Sequence, residues 1–184
     1  MLSGTEVERL LEAVRLPRMQ TLVTALYAAG LRVSEGCCLR PSDIDSRRMV
    51  IRVLGKGNKE RYTLLSARLL EKLRTYWQAE RPSNGWLFPG RTLAGHVSTL
   101  AVQEAVHNAA LVARLNKRVT PHMLRHSFAT HLIESGVDVT LVQALLGHQS
   151  VRTTQLYLHV RADTLARVKS PLDLLGTPDG AVLG

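Results

Sequence analysis

"MVIRVLGKGNKERYTLL", residues 49–65, is the stretch that sets the fold class. Its flanks, "MVIRVL" and "RYTLL", are β-branched and aromatic runs of the kind strands favour, and the Gly- and Asn-rich "GKGNKE" between them is a turn. The stretch predicts a hairpin with Lys56 at its tip, and "DID" at 43–45 adds a third, short strand. Elsewhere the apolar residues recur at helical spacing. The expected class is mainly α, an α+β fold with one small three-stranded antiparallel sheet.

The helices around that sheet announce their ends. Ser3 and Glu6 make a capping box, and Val7, Leu10, Leu11 and Val14 follow at helical spacing. Pro17 opens a second helix that Gly30 closes, so Arg32 falls just past a helix end, and "LRVSEGCCL" (31–39) is a short helical piece. Helical pattern returns at 66–79, pauses in the loop 81–95 and resumes in "VSTLAVQEAVHNAALVARL" (97–115). Thr120 caps a helix with Pro121 at its first position and Gly136 as its stop; another runs from Asp138 to Leu146 and ends at Gly147. Ser150 caps a last helix carrying Tyr157, and beyond Pro171 the periodicity is lost. That tail is expected to be mobile, with "LDLL" (172–175) as the piece able to dock on an apolar surface.

At 184 residues and 45% hydrophobic content the chain suffices for one domain with a real core. Lys and Arg exceed Asp and Glu by 24 to 15, a formal charge of +9, so the first candidate partner is a polyanion such as nucleic acid; the alternative is charge that only keeps the chain soluble. Cys37 and Cys38 are adjacent, which ordinary disulfide geometry does not accommodate, and they are expected as reduced core thiols. No apolar run nears the roughly 20 residues of a membrane span and no secretion signal opens the chain, so no membrane partner and a cytoplasmic location are expected.

"TPHMLRHSFATHL" (120–132) concentrates three histidines and an arginine in one short helix. His122 and Arg125, three apart at its start, share a face beside free backbone amides and the positive end of the helix dipole. The pair alone is compatible with an anion site or with a solvated basic helix end. His126 and His131 are five apart, a poor match to the four-residue spacing of zinc helices, and no cysteine lies nearby. Neither metal nor cofactor is expected, and His96 and His107 read as structural.

Taken in order, "GLRVSE" (Arg32, Glu35), "GKGNKER" (Lys56), "HMLRH" (His122, Arg125), "LGH" (His148) and "TTQLYLHV" (Tyr157) make the chain resemble the tyrosine recombinase, or phage integrase, family. The likeness runs from about Ser3 to Pro171. It implies a helical recombinase catalytic domain over residues 1–175, a flexible tail over 176–184, and no N-terminal core-binding domain. It also implies a site-specific DNA recombinase that cleaves and rejoins strands through a 3′-phosphotyrosyl intermediate.

What the resemblance implies for each residue follows phosphoryl-transfer chemistry. Tyr157 is the nucleophile and His122 its proton acceptor, because only about one phenol in a thousand is ionised at neutral pH. Arg32 and Arg125 clamp the phosphate oxygens, Glu35 holds Arg32, Lys56 (or Lys59) protonates the leaving 5′-oxygen, and His148 donates to a phosphate oxygen. The implied partner is double-stranded DNA, bound by a homo-oligomer, a dimer on each site and a tetramer in synapsis. A type IB topoisomerase-like relaxing enzyme and a non-catalytic DNA-binding protein are the alternatives. One departure is "GCCLRPSDID" after the "SE", where the family is usually aliphatic with a Trp to follow; looser packing behind Arg32 is expected.

Overall fold

Residues 21–31 are buried without interruption, which marks the helix they largely belong to as the axis of the structure. The structure, a computed structural model, describes residues 1–55, 60–82, 84–91, 95–147 and 168–176. Helix α1 (Gly4–Ala13) starts at the expected capping box: Ser3 Oγ accepts from the Glu6 N–H, and the Ser3 N–H donates to Glu6 Oε2 at 2.8 Å. Its buried residues Val7, Leu10 and Leu11 lie on a helix packed against α2 (Pro17–Ala28) and the later helix Thr99–Val112. Because α2 is covered all round, its apolar residues have no polar stripe; Leu22, Val23, Leu26 and Tyr27 are fully buried.

Gly30 ends α2 in the left-handed region (φ +60°), and a Cβ there would lie 2.4 Å from the Phe128 ring. Only glycine satisfies both demands. The turn delivers the chain to Arg32 and α3 (Val33–Cys37).

The sheet is β1 (Ile44–Asp45), β2 (Val50–Leu54) and β3 (Glu60–Leu64), antiparallel in that order, with Val50 opposite Leu64 and Leu54 opposite Glu60. The hairpin is as expected, but its tip, with Lys56 and Lys59, lies outside the described residues. The third strand is shorter than "DID", since Asp43 belongs to a 3₁₀ turn (Pro41–Asp43) whose N-cap N–H, that of Arg40, bonds its carboxylate. Thr63 Oγ1 donates to the Ala29 carbonyl at 2.7 Å and pins the sheet to the end of α2.

Helix α4 (Ala67–Glu80) buries Leu69, Leu70, Leu73 and Tyr76. Helices α5 (Thr99–Val112), α6 (Pro121–Glu134) and α7 (Val139–Leu146) follow, capped by the side chains of Ser98, Thr120 and Asp138. No helix among the described residues is long and apolar enough to cross a membrane.

One expectation is refined and one is corrected. The segment able to dock does so: a short helix α8 (Pro171–Leu174) packs against α2, α4 and α6, with Leu172 buried. Ser170 Oγ donates to the Ala28 carbonyl at 2.8 Å, and Arg68 Nη1 donates to the carbonyls of Leu172 and Leu175. "LDLL" therefore docks on its own chain, because Arg68 and Ser170 satisfy backbone groups that would otherwise need water. Of the two thiols only Cys37 is in the core; Cys38, at the end of α3, is exposed with Sγ 3.4 Å from His96 Nε2. Cys38 is the C-cap of α3, turned about 100° from Cys37 onto the side that faces solvent.

Candidate active site

Arg32 is the N-cap of α3, and its backbone N–H donates to Glu35 Oε2 at 2.7 Å, the contact that lets an acidic third residue start a helix. The same carboxylate receives the Arg32 guanidinium, Nη1 to Oε1 at 2.9 Å. The Glu35 side chain is only 5% exposed while that of Arg32 is 46% exposed, so the ion pair has its carboxylate inside and its cation at the surface.

Two more arginines reach the same point from the rear. Arg61, on β3, donates from Nη2 to Glu35 Oε2 at 2.8 Å, and Arg125, on the inner face of α6, brings Nη1 to 3.8 Å from that oxygen. Both are more than nine-tenths buried. Arg125 makes its hydrogen bonds to backbone instead, from Nη1 to the Gly30 carbonyl at 2.6 Å and from Nη2 to the Leu146 carbonyl. Those bonds tie the α2–α3 turn and the end of α7 to one guanidinium.

Three guanidiniums thus share one carboxylate, a formal charge of +2 where burial weakens screening. Burial first, then the neighbouring charges of Arg32 and Arg61, push the Arg125 guanidinium down to about 10, against an opposing pull from Glu35. It is still charged at neutral pH, but at an energetic cost that an incoming anion would relieve. The arrangement is chemically an oxyanion receptor with an open side at Arg32.

Of the residues singled out from sequence, Arg32, Glu35 and Arg125 are brought together. His122 stands exposed in the first turn of α6, three residues ahead of Arg125. Lys56, His148 and Tyr157 lie outside the described residues. Gly147, next to His148, closes α7 in the left-handed region (φ +68°) against Arg61; a Cβ at that position would come within 2.7 Å of Arg61 Cδ.

Arg61 was missed in the sequence, though a signal was there. In β3 it shares the face of Thr63, and it stands opposite Val53 as Thr63 stands opposite Ile51. Ile51, Val53 and Thr63 are all buried. A charged residue in step with that face has to find a buried partner. The other histidines among the described residues are structural or exposed: His131 Nδ1 bonds Tyr27 Oη at 2.8 Å, His96 packs edge-on against Trp86, and His107 and His126 face solvent. Among the described residues no group of three or more His, Cys, Asp or Glu could hold a metal ion.

Comparison with known proteins gives the family. Residues 1–164 match the phage integrase family. The chain is 48% identical over 179 residues to y4qK of Sinorhizobium fredii, which carries an integrase/recombinase name, covering 97% of this chain and 58% of that protein. It is 35% identical over 195 residues to the tyrosine recombinase XerD of Caulobacter vibrioides, covering 98% of this chain and 64% of XerD. The chain therefore spans about three-fifths of the length of these relatives. Its fold superposes on the XerA recombinase with a TM-score of 0.74 at 35% identity, over 90% of this chain and 62% of XerA. It also superposes on the lambda integrase catalytic core (TM-score 0.64, 21% identity, 80% of this chain and 90% of that core), a likeness of fold alone. With three arginines gathered on one buried carboxylate and a family match over residues 1–164, the chain belongs to the phage integrase family of tyrosine recombinases.

Proposed function

We propose that this chain supplies the catalytic domain of a site-specific DNA recombinase, cleaving and rejoining strands through a 3′-phosphotyrosyl intermediate. The observation that carries the proposal is the convergence of Arg32, Arg61 and Arg125 on Glu35, a +2 pocket open at Arg32. A DNA phosphodiester carries one negative charge, and the five-coordinate phosphorus formed by attack of an oxygen carries two. The pocket's charge therefore matches the transition state better than the ground state, which is the condition for acceleration rather than mere binding.

In this scheme Arg32 and Arg125 hold the non-bridging oxygens and Glu35 orients Arg32. His122 takes the proton of Tyr157, Tyr157 attacks phosphorus, Lys56 protonates the departing 5′-oxygen and His148 donates to a phosphate oxygen. The attack forms a Tyr157 Oη–P bond and breaks the bond from phosphorus to the 5′-oxygen; rejoining reverses both. The catalytic unit spans 1–175 with 176–184 as a tail, and needs no metal or cofactor, because protein cations compensate the charge. Double-stranded DNA is the substrate, with dimers on each site and a tetramer in synapsis, in the cytoplasm. Support for DNA comes from the XerH recombinase, 30% identical, whose structure is bound to a palindromic difH substrate after cleavage.

The test is a set of nicked suicide duplexes drawn from DNA flanking the coding region, scored for a covalent protein–DNA adduct on denaturing gels. The adduct is expected with the parent chain and absent with Tyr157→Phe. No adduct with any duplex at low salt would refute the proposal, and site-independent relaxation of supercoils by monomers would favour a topoisomerase instead.

A further inference from the structure

Arg61 closes the motif that carries Lys56, yet the family resemblance gives it no role, and it is a buried cation on the central carboxylate. Glu35 Oε2 accepts two hydrogen bonds, from the Arg32 N–H at 2.7 Å and from Arg61 Nη2 at 2.8 Å. With that oxygen occupied, Arg125 stands 3.8 Å away and spends its donors on the carbonyls of Gly30 and Leu146. We propose that Arg61 is a positioning residue for strand cleavage: it offsets the charge of Glu35, so that Arg32, held by Glu35 Oε1 at 2.9 Å, and Arg125 meet the phosphate as part of a cluster with a net charge of +2.

Two features of the site require such a group. A single carboxylate between two guanidiniums would leave a net charge of +1, enough for the ground-state phosphodiester and one short of the transition state. Arg61 raises the count to +2 without touching DNA, because its side chain is 9% exposed and lies behind the carboxylate. Without Arg61, moreover, Oε2 would be free to capture Arg125 in an ion pair that a phosphate must then break, a stabilisation of the wrong state. Arginine suits the position because its charge is permanent and its flat fork can be packed at depth. Its stem lies against Gly147, the residue before His148, so the same side chain shapes the turn that leads out of α7.

The inference rests on the recombinase proposal above and is tested beside it. Single-turnover adduct formation on a nicked duplex is measured for the parent chain, Arg61→Met, Arg61→Lys and the double variant Arg61→Met/Glu35→Gln, with duplex Kd and thermal unfolding recorded for each. Arg61→Met is expected to cleave at least tenfold more slowly with duplex Kd within threefold of the parent. Arg61→Lys, which keeps the charge, is expected to stay within fivefold. The double variant restores the +2 count and is expected to be at least threefold faster than Arg61→Met, which a merely structural role would not give. A folded Arg61→Met within threefold of the parent rate, or a double variant no faster than it, overturns the inference. Should Arg61→Met fail to fold, a folded Arg61→Lys more than tenfold slower than the parent overturns it equally. If the parent chain forms no adduct, the recombinase proposal falls and the inference is read from inorganic phosphate. Phosphate affinity, taken from the shift in thermal midpoint, should drop at least fivefold in Arg61→Met and recover in the double variant; an unchanged affinity overturns it.

Discussion

Replacing Glu35 by alanine removes a carboxylate that three guanidiniums share. Two of them, on Arg61 and Arg125, have side chains only 9% and 7% exposed and cannot recover the loss from water. Breaking a buried ion pair by deleting one partner costs about 3–5 kcal/mol, because the remaining charge stays in the interior. Here the deletion leaves the two buried cations facing each other, so the upper half of that range applies, and the α3 N-cap also loses its acceptor. For a chain of 184 residues about 4–5 kcal/mol corresponds to a fall in Tm of roughly 8–20 °C. Urea titration at pH 7, followed by circular dichroism, measures the cost, and Glu35→Gln separates charge from hydrogen bonding, since it keeps an oxygen for the Arg32 N–H. Inorganic phosphate should return part of the stability to Glu35→Ala by supplying the missing anion. A cost below about 1 kcal/mol, the range of an exposed ion pair, would show that the cluster is not held as described.

Gly30→Ala should destabilise by about 2–4 kcal/mol in urea titration, through left-handed strain plus overlap with Phe128, whereas Gly136→Ala, with φ +87° and nothing within 4 Å, should cost only the strain of about 1–2 kcal/mol. Arg125→Lys should slow adduct formation about a hundredfold or more, at about 3 kcal/mol for a lost transition-state donor, because a lysine cannot serve two carbonyls and a phosphate together. Mass spectrometry after brief alkylation of the native chain should find label on exposed Cys38 and none on Cys37, whose thiol is pushed up to about 12 chiefly by burial. Tyr76, whose hydroxyl donates to the Leu87 carbonyl, is likewise pushed up to about 12 by burial, from an ordinary value of 10.0. Its contribution to stability is complete below pH 10 and is lost as pH rises toward 12, because the unfolded phenol ionises first. Tyr76→Phe should flatten that alkaline decline in unfolding free energy.

Much of this protein could be read from the chain because the deciding interactions are local. The Ser3–Glu6 box, Pro17 and Pro121 at helix starts, Gly30 and Gly147 at helix ends, and the run from Val50 to Leu64 each act within a few residues, so period and punctuation placed them. Arg32, Glu35 and Arg125 stood out by motif order, and three residues is a spacing at which Arg32 and Glu35 meet on any helix start. What only tertiary packing decided is which distant groups share a space. Arg61 is 26 residues from Glu35 and becomes its partner because β3 turns that face inward; Ser170 is 142 residues from Ala28 and anchors a segment whose own pattern was too short to read. A buried charge must be matched somewhere, but the identity of the match is fixed by the register of the sheet and the docking of helices, and those depend on every contact at once.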